Sequence, residues 1–350
     1  MIFASDNWAG ASEKIVAGLA EAARHGGPAY GGDKLTAAVE QRFAEIFERE
    51  VAVFLVASGT VANALALSTY ARPGGIVLAH RDAHILVDEA GATELFSGGN
   101  KIVGLDAVAG KLAPETLLAA LSRLPGDAVH HGQPVAVSLT QITEFGAAYR
   151  PDEIAALSRV AKTRGLAVHM DGARFAGAVA GLGLSPAEIT WRAGVDVLSF
   201  GGTKNGCIAA EAVVFFDPAH ARDFAYARQR AGQGYSKNWF IAAQLAAYLD
   251  GNHWLDLAGH ANRTAARLAE AIAASKSARL ALTPDANEIF AILKTSTDAK
   301  LRAAGAAYHP WPADSLPAGT RPAADETMVR LVTSFQTKDA EVDRFADFLR

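Results

Sequence analysis

VDVLSFGGTKNG (residues 195–206) joins a continuously apolar run to a glycine-rich polar turn that carries one lysine. The run predicts a strand buried on both faces, and the turn puts Lys204 where the chain leaves the interior. An ammonium without a partner is costly to bury. A solvated loop lysine is common, so Lys204 gains meaning only from the groups that the rest of the chain brings to it.

Working outward, LAVHMD (166–171), VAVFLV (51–56), IVLAH (76–80), VAVSLT (135–140) and AEAVVFF (210–216) read as further strands. Helical patterns lie between them. LTAAVEQRFAEIFERE (35–50) puts Leu35, Val39, Phe43, Ile46 and Phe47 on one face. SGTVANALALSTYA (58–71) opens on small residues, and PDEIAALSRVAKTRG (151–165) has Pro and acids in its first turn and Gly at its end. This alternation predicts an α/β domain whose mostly parallel central sheet is covered by helices. Residues 220–275 read as helical, with one long helix near 239–274. IFAILK (289–294) and MVRLVTSF (328–335) read as strands separated by a helix-like segment and the Pro-rich PWPADSLPAG (310–319), and KDAEVDRFADFLR (338–350) as a last helix. The expected division is a large domain over 1–245, with segment 1–15 contributing to its site, and a smaller C-terminal α+β domain over 246–350.

Of the 350 residues, 50% are apolar and 20% charged, and the net charge of −4 offers no footprint for nucleic acid. Cys207 is the single cysteine, so no intrachain disulfide can form, which fits a reducing cytoplasm. No apolar run reaches membrane-spanning length, and MIFASDNWAG lacks the pattern of a signal peptide. HRDAH (80–84) spaces two histidines as a zinc pair would, but Arg81 stands where a zinc peptidase needs glutamate, so no metal is expected. His130 and His131 read as solvated, His169 as packed or hydrogen-bonded near Asp171, and Cys207 as a small buried residue rather than a nucleophile.

Several unusual polar groups fall at strand ends, where open α/β sheets bind ligands. Asp171 ends LAVHMD, Lys204 follows VDVLSF, and Ser58, Gly59 and Thr60 open a helix after VAVFLV. Each alone has a bland reading as a cap or a solvated charge. Together they match the needs of pyridoxal phosphate. A lysine amine forms a Schiff base, a carboxylate keeps the pyridine nitrogen protonated, and a helix N-terminus takes the phosphate. His84, just past IVLAH, is a candidate to stack on the ring.

FASDNWAG (3–10), AYGGD (29–33), SGTVAN (58–63), AHILVDEAGATELFSGG (83–99), HMDGARF (169–175), FGGTKNG (200–206) and VRLVTSF (329–335) carry the resemblance. Through them the chain resembles the low-specificity threonine aldolases of the β-eliminating lyase group, which have the aspartate aminotransferase fold. The resemblance implies cleavage of L-threonine, L-allo-threonine or another β-hydroxy-α-amino acid to glycine and an aldehyde. Lys204 would hold pyridoxal phosphate, Asp171 would pair with its ring nitrogen, His84 would stack on the ring, and Ser58, Gly59 and Thr60 would bind its phosphate. Arg174 would face the substrate carboxylate or the cofactor's ring oxygen. Arg330 would supply a second guanidinium and Ser5 a hydroxyl to that carboxylate. Tyr30 would reach a neighbouring subunit's site in a homo-oligomer, with a dimer of dimers expected.

The chain departs from the family pattern in places. Asn7 follows Ser5-Asp6 where threonine is common, Gly32 replaces an acid, and Trp239 in YSKNWF stands where arginine is expected, which puts a phosphate contact in doubt. Glu144 in QITEFG occupies the place of a histidine found in another branch. The base that takes the substrate's hydroxyl proton could thus be His84, Glu144 or a water, with His84 preferred. Phenylserine cleavage, another pyridoxal-phosphate reaction on β-substituted amino acids, and a ligand-binding protein without catalysis are the other readings.

Overall fold

The computed structural model describes residues 1–314, 316 and 320–350. Part of the Pro-rich segment, Ser315 and residues 317–319, therefore lies outside the described residues.

Seven strands form the main sheet: β1 (Ala52–Val56), β2 (Gly75–His80), β3 (Lys101–Leu105), β4 (Gln133–Thr140), β5 (Ala167–Gly172), β6 (Val197–Gly201) and β7 (Glu211–Phe215). Their order is β1-β7-β6-β5-β4-β2-β3, and β7 alone runs against its neighbours. The predicted mostly parallel sheet is therefore present. Every residue of β2, β5, β6 and β7 is buried, as a sheet covered on both faces requires. The covering helices follow from local signals. Helix Gly59–Ser68 is capped by Ser58, whose Oγ accepts the Val61 amide at 3.4 Å. Helix Pro151–Lys162 starts on proline, and Glu153 accepts the Arg150 amide at 2.7 Å.

A second sheet is antiparallel throughout, in the order β10-β11-β9-β8. Its strands are β8 (Ala278–Leu280), β9 (Glu288–Lys294), β10 (His309–Pro310) and β11 (Glu326–Val332). Leu268, Ile289, Leu293, Val329, Leu331 and Phe345 form its core together with Phe3. The N-terminal segment is thus shared. Phe3 exchanges backbone bonds with Ala307 (2.8 Å) and Val332 (2.9 Å), and Ser12 N–H reaches Gly206 O, just past Lys204, at 2.9 Å.

The single long helix expected near 239–274 is two helices, Trp239–Leu249 and His253–Ala273. Gly251 between them sits at φ +61°, a left-handed conformation that ends a helix at little cost only for glycine. Among the described residues no helix is long and apolar enough to cross a membrane.

Candidate active site

The C-terminal ends of β1, β2, β4, β5 and β6 and the start of β7 lie along one edge of the main sheet. A cavity of about 290 Å³ opens there, and Ser58, Gly59, Thr60, His84, Asp171 and Lys204 all line it. The structure thus brings together residues that are up to 146 positions apart in the chain.

Lys204 lies in a short 3-10 turn, Thr203–Asn205, directly after β6. Both oxygens of Glu211 accept the amides that precede it, from Gly202 at 3.1 Å and Thr203 at 3.3 Å. Asn205 anchors the far side by donating to Tyr248 Oη (2.7 Å) and Trp254 O (2.8 Å). Gly201 is needed because a Cβ there would stand 2.5 Å from the backbone oxygen of Ala173. Strand β6 can therefore approach the Asp171–Arg174 segment closely. Among the described residues, Lys204 Nζ has neither a hydrogen-bond nor an ion-pair partner.

Asp171 is buried at the end of β5. Its Oδ1 accepts the Ala173 amide at 3.0 Å and its Oδ2 accepts Asn63 Nδ2 at 2.8 Å. The same Asn63 nitrogen donates to Glu89 Oε1 at 2.9 Å, and that oxygen lies 2.9 Å from His84 Nδ1. A continuous chain thus links Asp171 to His84. The Glu89 hydrogen bond raises the His84 pKa above its ordinary value, against the opposing effect of burial. Burial raises the Glu89 carboxyl despite the bonds from His84 and Asn63. At the phosphate end, Ser58 caps its helix and no atom lies within 4 Å of where a Gly59 Cβ would stand, so the first helical turn opens into the cavity.

A wider mouth of about 950 Å³ shares His84, Glu144, Arg174 and Lys204 with the inner cavity and adds Ser5, Glu288, Trp311 and Arg330. Arg174, expected to face the substrate carboxylate or the cofactor's ring oxygen, lines both cavities and is held by two acids. Its Nε and Nη2 grip buried Asp6 at 2.7 and 3.0 Å, and its Nη1 lies 3.1 Å from Glu288. Burial alone would raise the Asp6 carboxyl, but Arg174 carries it below the ordinary value. Arg330 is less committed. It lies 4.0 Å from Glu288 and 4.4 Å over the Trp311 ring, and its buried Nε has no hydrogen-bond partner. Ser5 also stands at the mouth, where its Oγ accepts the Asn7 amide at 3.1 Å.

Glu144 belongs to the turn after β4. Its Oε1 accepts His84 N–H and Thr140 Oγ1, each at 2.9 Å, while its buried Oε2 has no partner. Burial pushes its pKa up to about 7.

Tyr30 is exposed and lines neither cavity of its own chain, and the same cavities leave out Trp239, the first residue of its helix. The two histidines of HRDAH have separate partners, Ala107 O for His80 and Glu89 for His84. His169 is fully buried between Ser138 and Ser199, and burial lowers its pKa to about 4. Asp6, Asn63, Glu89, Glu211 and Glu288 were absent from the sequence reading of the site. The available signals were slight: Asn63 lies within SGTVAN, and Glu288 is a charge at the start of an apolar strand.

The chain matches the family described as Beta-eliminating lyase over residues 3–296. It is 44% identical over 304 residues to a low specificity L-threonine aldolase of Pseudomonas aeruginosa, covering 87% of each chain. To the low specificity L-threonine aldolase of a Pseudomonas species it is 43% identical, covering 82% of this chain and 83% of that one. The solved threonine aldolase of Leishmania major superposes with a TM-score of 0.91 at 28% identity, covering 99% of this chain and 98% of that one. A serine palmitoyltransferase solved with PLP shares the fold, with a TM-score of 0.69 at 18% identity, covering 100% of this chain and 86% of that one.

Proposed function

The chain belongs to the β-eliminating lyase family, and on that basis we propose that it is a pyridoxal-phosphate-dependent threonine aldolase. It cleaves β-hydroxy-α-amino acids, L-threonine and L-allo-threonine among them, to glycine and an aldehyde. The observation that carries this reading is the convergence on one cavity of a partnerless lysine, a buried carboxylate and an open helix N-terminus. Those donors suit the cofactor. Lys204 would hold it through the amine, Asp171 would pair with its ring nitrogen, His84 would cover the ring, and Ser58, Gly59 and Thr60 would take its phosphate. Bound there, it supplies a sink for the electron pair released at Cα.

The protein's own groups then decide which bond breaks. Arg330, held on the Trp311 face, and Ser5 bind the substrate carboxylate. Arg174, clamped by Asp6 and Glu288, fixes the floor of the mouth rather than moving with the ligand. With the carboxylate fixed, the Cα–Cβ bond can be held across the ring plane, the alignment that selects it for cleavage. Of the titratable groups that line both the inner cavity and the mouth, Lys204 would hold the cofactor and Arg174 is a fixed cation, which leaves His84 and Glu144 to take the hydroxyl proton. The breadth of the mouth and its Phe145 and Trp311 walls favour phenylserine as a second substrate. The division at residue 245, a cytoplasmic location, and a dimer of dimers with Tyr30 reaching a neighbouring site complete the proposal.

The test is incubation of the purified protein and cofactor with L-threonine. Acetaldehyde and glycine in equal amounts are expected, and Lys204→Ala should lose both turnover and the visible cofactor absorbance. Ammonia with a 2-oxo acid, or an active Lys204→Ala variant, would overturn the reading.

A further inference from the structure

We propose that Glu144, rather than His84, is the catalytic base that takes the proton from the substrate's β-hydroxyl. The inference rests on the aldolase reading above. Its first support is position. Glu144 lines both the inner cavity, which Lys204 shares, and the mouth, so it stands at the junction a substrate must cross to reach Lys204.

The second support is availability. Oε1 is fixed by the His84 amide and the Thr140 hydroxyl, which leaves Oε2 buried and without a partner. Among the described residues Glu144 is the one carboxylate that lines both cavities; Asp82, Asp88 and Asp314 line the mouth alone. Asp171 and Glu211 have both oxygens taken by N–H donors, and Asp6 and Glu288 face arginines. Glu89 also has a buried Oε2 without a hydrogen-bond partner, but its Oε1 holds His84 and Asn63 and it does not line the mouth.

The third support concerns His84. Its Nδ1 is bonded to Glu89, and that bond favours the imidazolium, which has no lone pair to accept a proton. With Nδ1 held by Glu89, His84 is better suited to cover the ring. Burial brings Glu144 to about 7, where a base works best near neutral pH. The titratable groups that share its two cavities are His84, Glu89, Asp171, Arg174, Lys204 and Glu211 in the inner one, and Arg81, Asp82, Asp88, Glu288, Asp314 and Arg330 in the mouth.

In the step, the hydroxyl O–H bond breaks and its proton passes to Glu144 Oε2. The O–H electron pair becomes the second C–O bond of the aldehyde. The Cα–Cβ bond breaks, and its pair stays with the Cα fragment. One proton then returns to Cα to give glycine, so no further reactant is consumed.

Glu144→Gln keeps the shape and the Oε1 acceptor. Its kcat on L-threonine should fall about 10²–10⁴-fold with KM within about threefold of wild type. The cofactor absorbance should be unchanged, and the acid limb of the wild-type kcat/KM profile, centred near 7, should vanish. Glu144→Asp, one methylene shorter, should recover part of the rate and keep the limb. A Glu144→Gln enzyme with wild-type kcat, or with the same limb, would overturn the assignment, as would loss of cofactor by both variants, which would mark Glu144 as structural. Wild-type protein that releases no aldehyde would refute the aldolase reading instead, so the two failures are distinguishable.

Discussion

Replacing Asp6 by asparagine tests how the N-terminal segment holds the site together. Asp6 is 3% exposed, accepts two bonds from Arg174 at 2.7 and 3.0 Å, and accepts one from Asn287 at 3.1 Å. Removing one charge from a buried pair costs about 3–5 kcal/mol, because the other charge is left without compensation. Glu288 remains 3.1 Å from Arg174, so the cost belongs at the low end of that range. Unfolding entropy is about 2 cal/mol/K per residue, or roughly 0.7 kcal/mol/K for 350 residues. A loss of about 3 kcal/mol then lowers Tm by about 4 °C.

The pH dependence has a definite sign. The folded Asp6 pKa lies below its ordinary value of 3.8, so its contribution is present above that pH and is lost as pH falls through the folded value. The Tm gap between wild type and Asp6→Asn should therefore be constant near neutrality and close in acid. Ser5 and Asn7 flank Asp6 at the mouth, so a loosened segment should also raise KM for L-threonine by about tenfold, equivalent to about 1.4 kcal/mol. Calorimetry across pH with steady-state kinetics measures both. A variant within about 1 °C of wild type at neutral pH, or a gap that widens in acid, would refute the reasoning.

Arg330→Lys keeps the charge but loses the planar fork, so KM for L-threonine should rise about 10–100-fold while cofactor binding stays unchanged; loss of the cofactor would mean that Arg330 serves a different ligand. Glu89→Gln removes the charged acceptor of His84, whose raised pKa should fall back toward 6.5 in an NMR titration. In wild type the stabilisation from that contact is complete below pH 6.5 and is lost as pH rises through the higher folded value, so the variant should lack this slope; an unmoved His84 titration would contradict the contact. Gly201→Ala would drive a Cβ to 2.5 Å from Ala173 O, and a backbone clash of that kind should cost at least about 1–3 kcal/mol, so an unchanged Tm would show that the two segments can separate.

The elements that place the cofactor residues were legible because each lies in a short, strongly patterned stretch. VDVLSF and LAVHMD are buried strands that end in polar groups, and SGT opens a helix behind another strand. Strand β3 was missed because only Ile102 is fully buried in it, and β8 because none of its residues is. The break at Gly251 was written as Asp-Gly-Asn, but the apolar helical pattern on both sides outweighed it. The supporting charges were illegible for another reason. Asp6 meets Arg174 across 168 positions, and Asn63 meets Asp171 across 108. No local period encodes such pairs; only the folded arrangement of the two sheets does.

The pairing of charges at the mouth also bears on why a carboxylate, Glu288, stands beside Arg330, the proposed carboxylate receptor. A buried guanidinium without any counter-charge would be costly, and Arg330 is already weakened as a cation by burial. Glu288 meets that need unequally, at 3.1 Å from Arg174 and 4.0 Å from Arg330. The close pair locks Arg174 into the framework with Asp6. The long pair only biases Arg330, whose plane is kept in place by the Trp311 ring. Under the proposed role, a substrate carboxylate would break no hydrogen-bonded ion pair at Arg330 and would leave Glu288 still paired with Arg174. Among the described residues Glu144 makes no ion pair with an arginine, which fits its proposed role as the carboxyl that answers to the substrate.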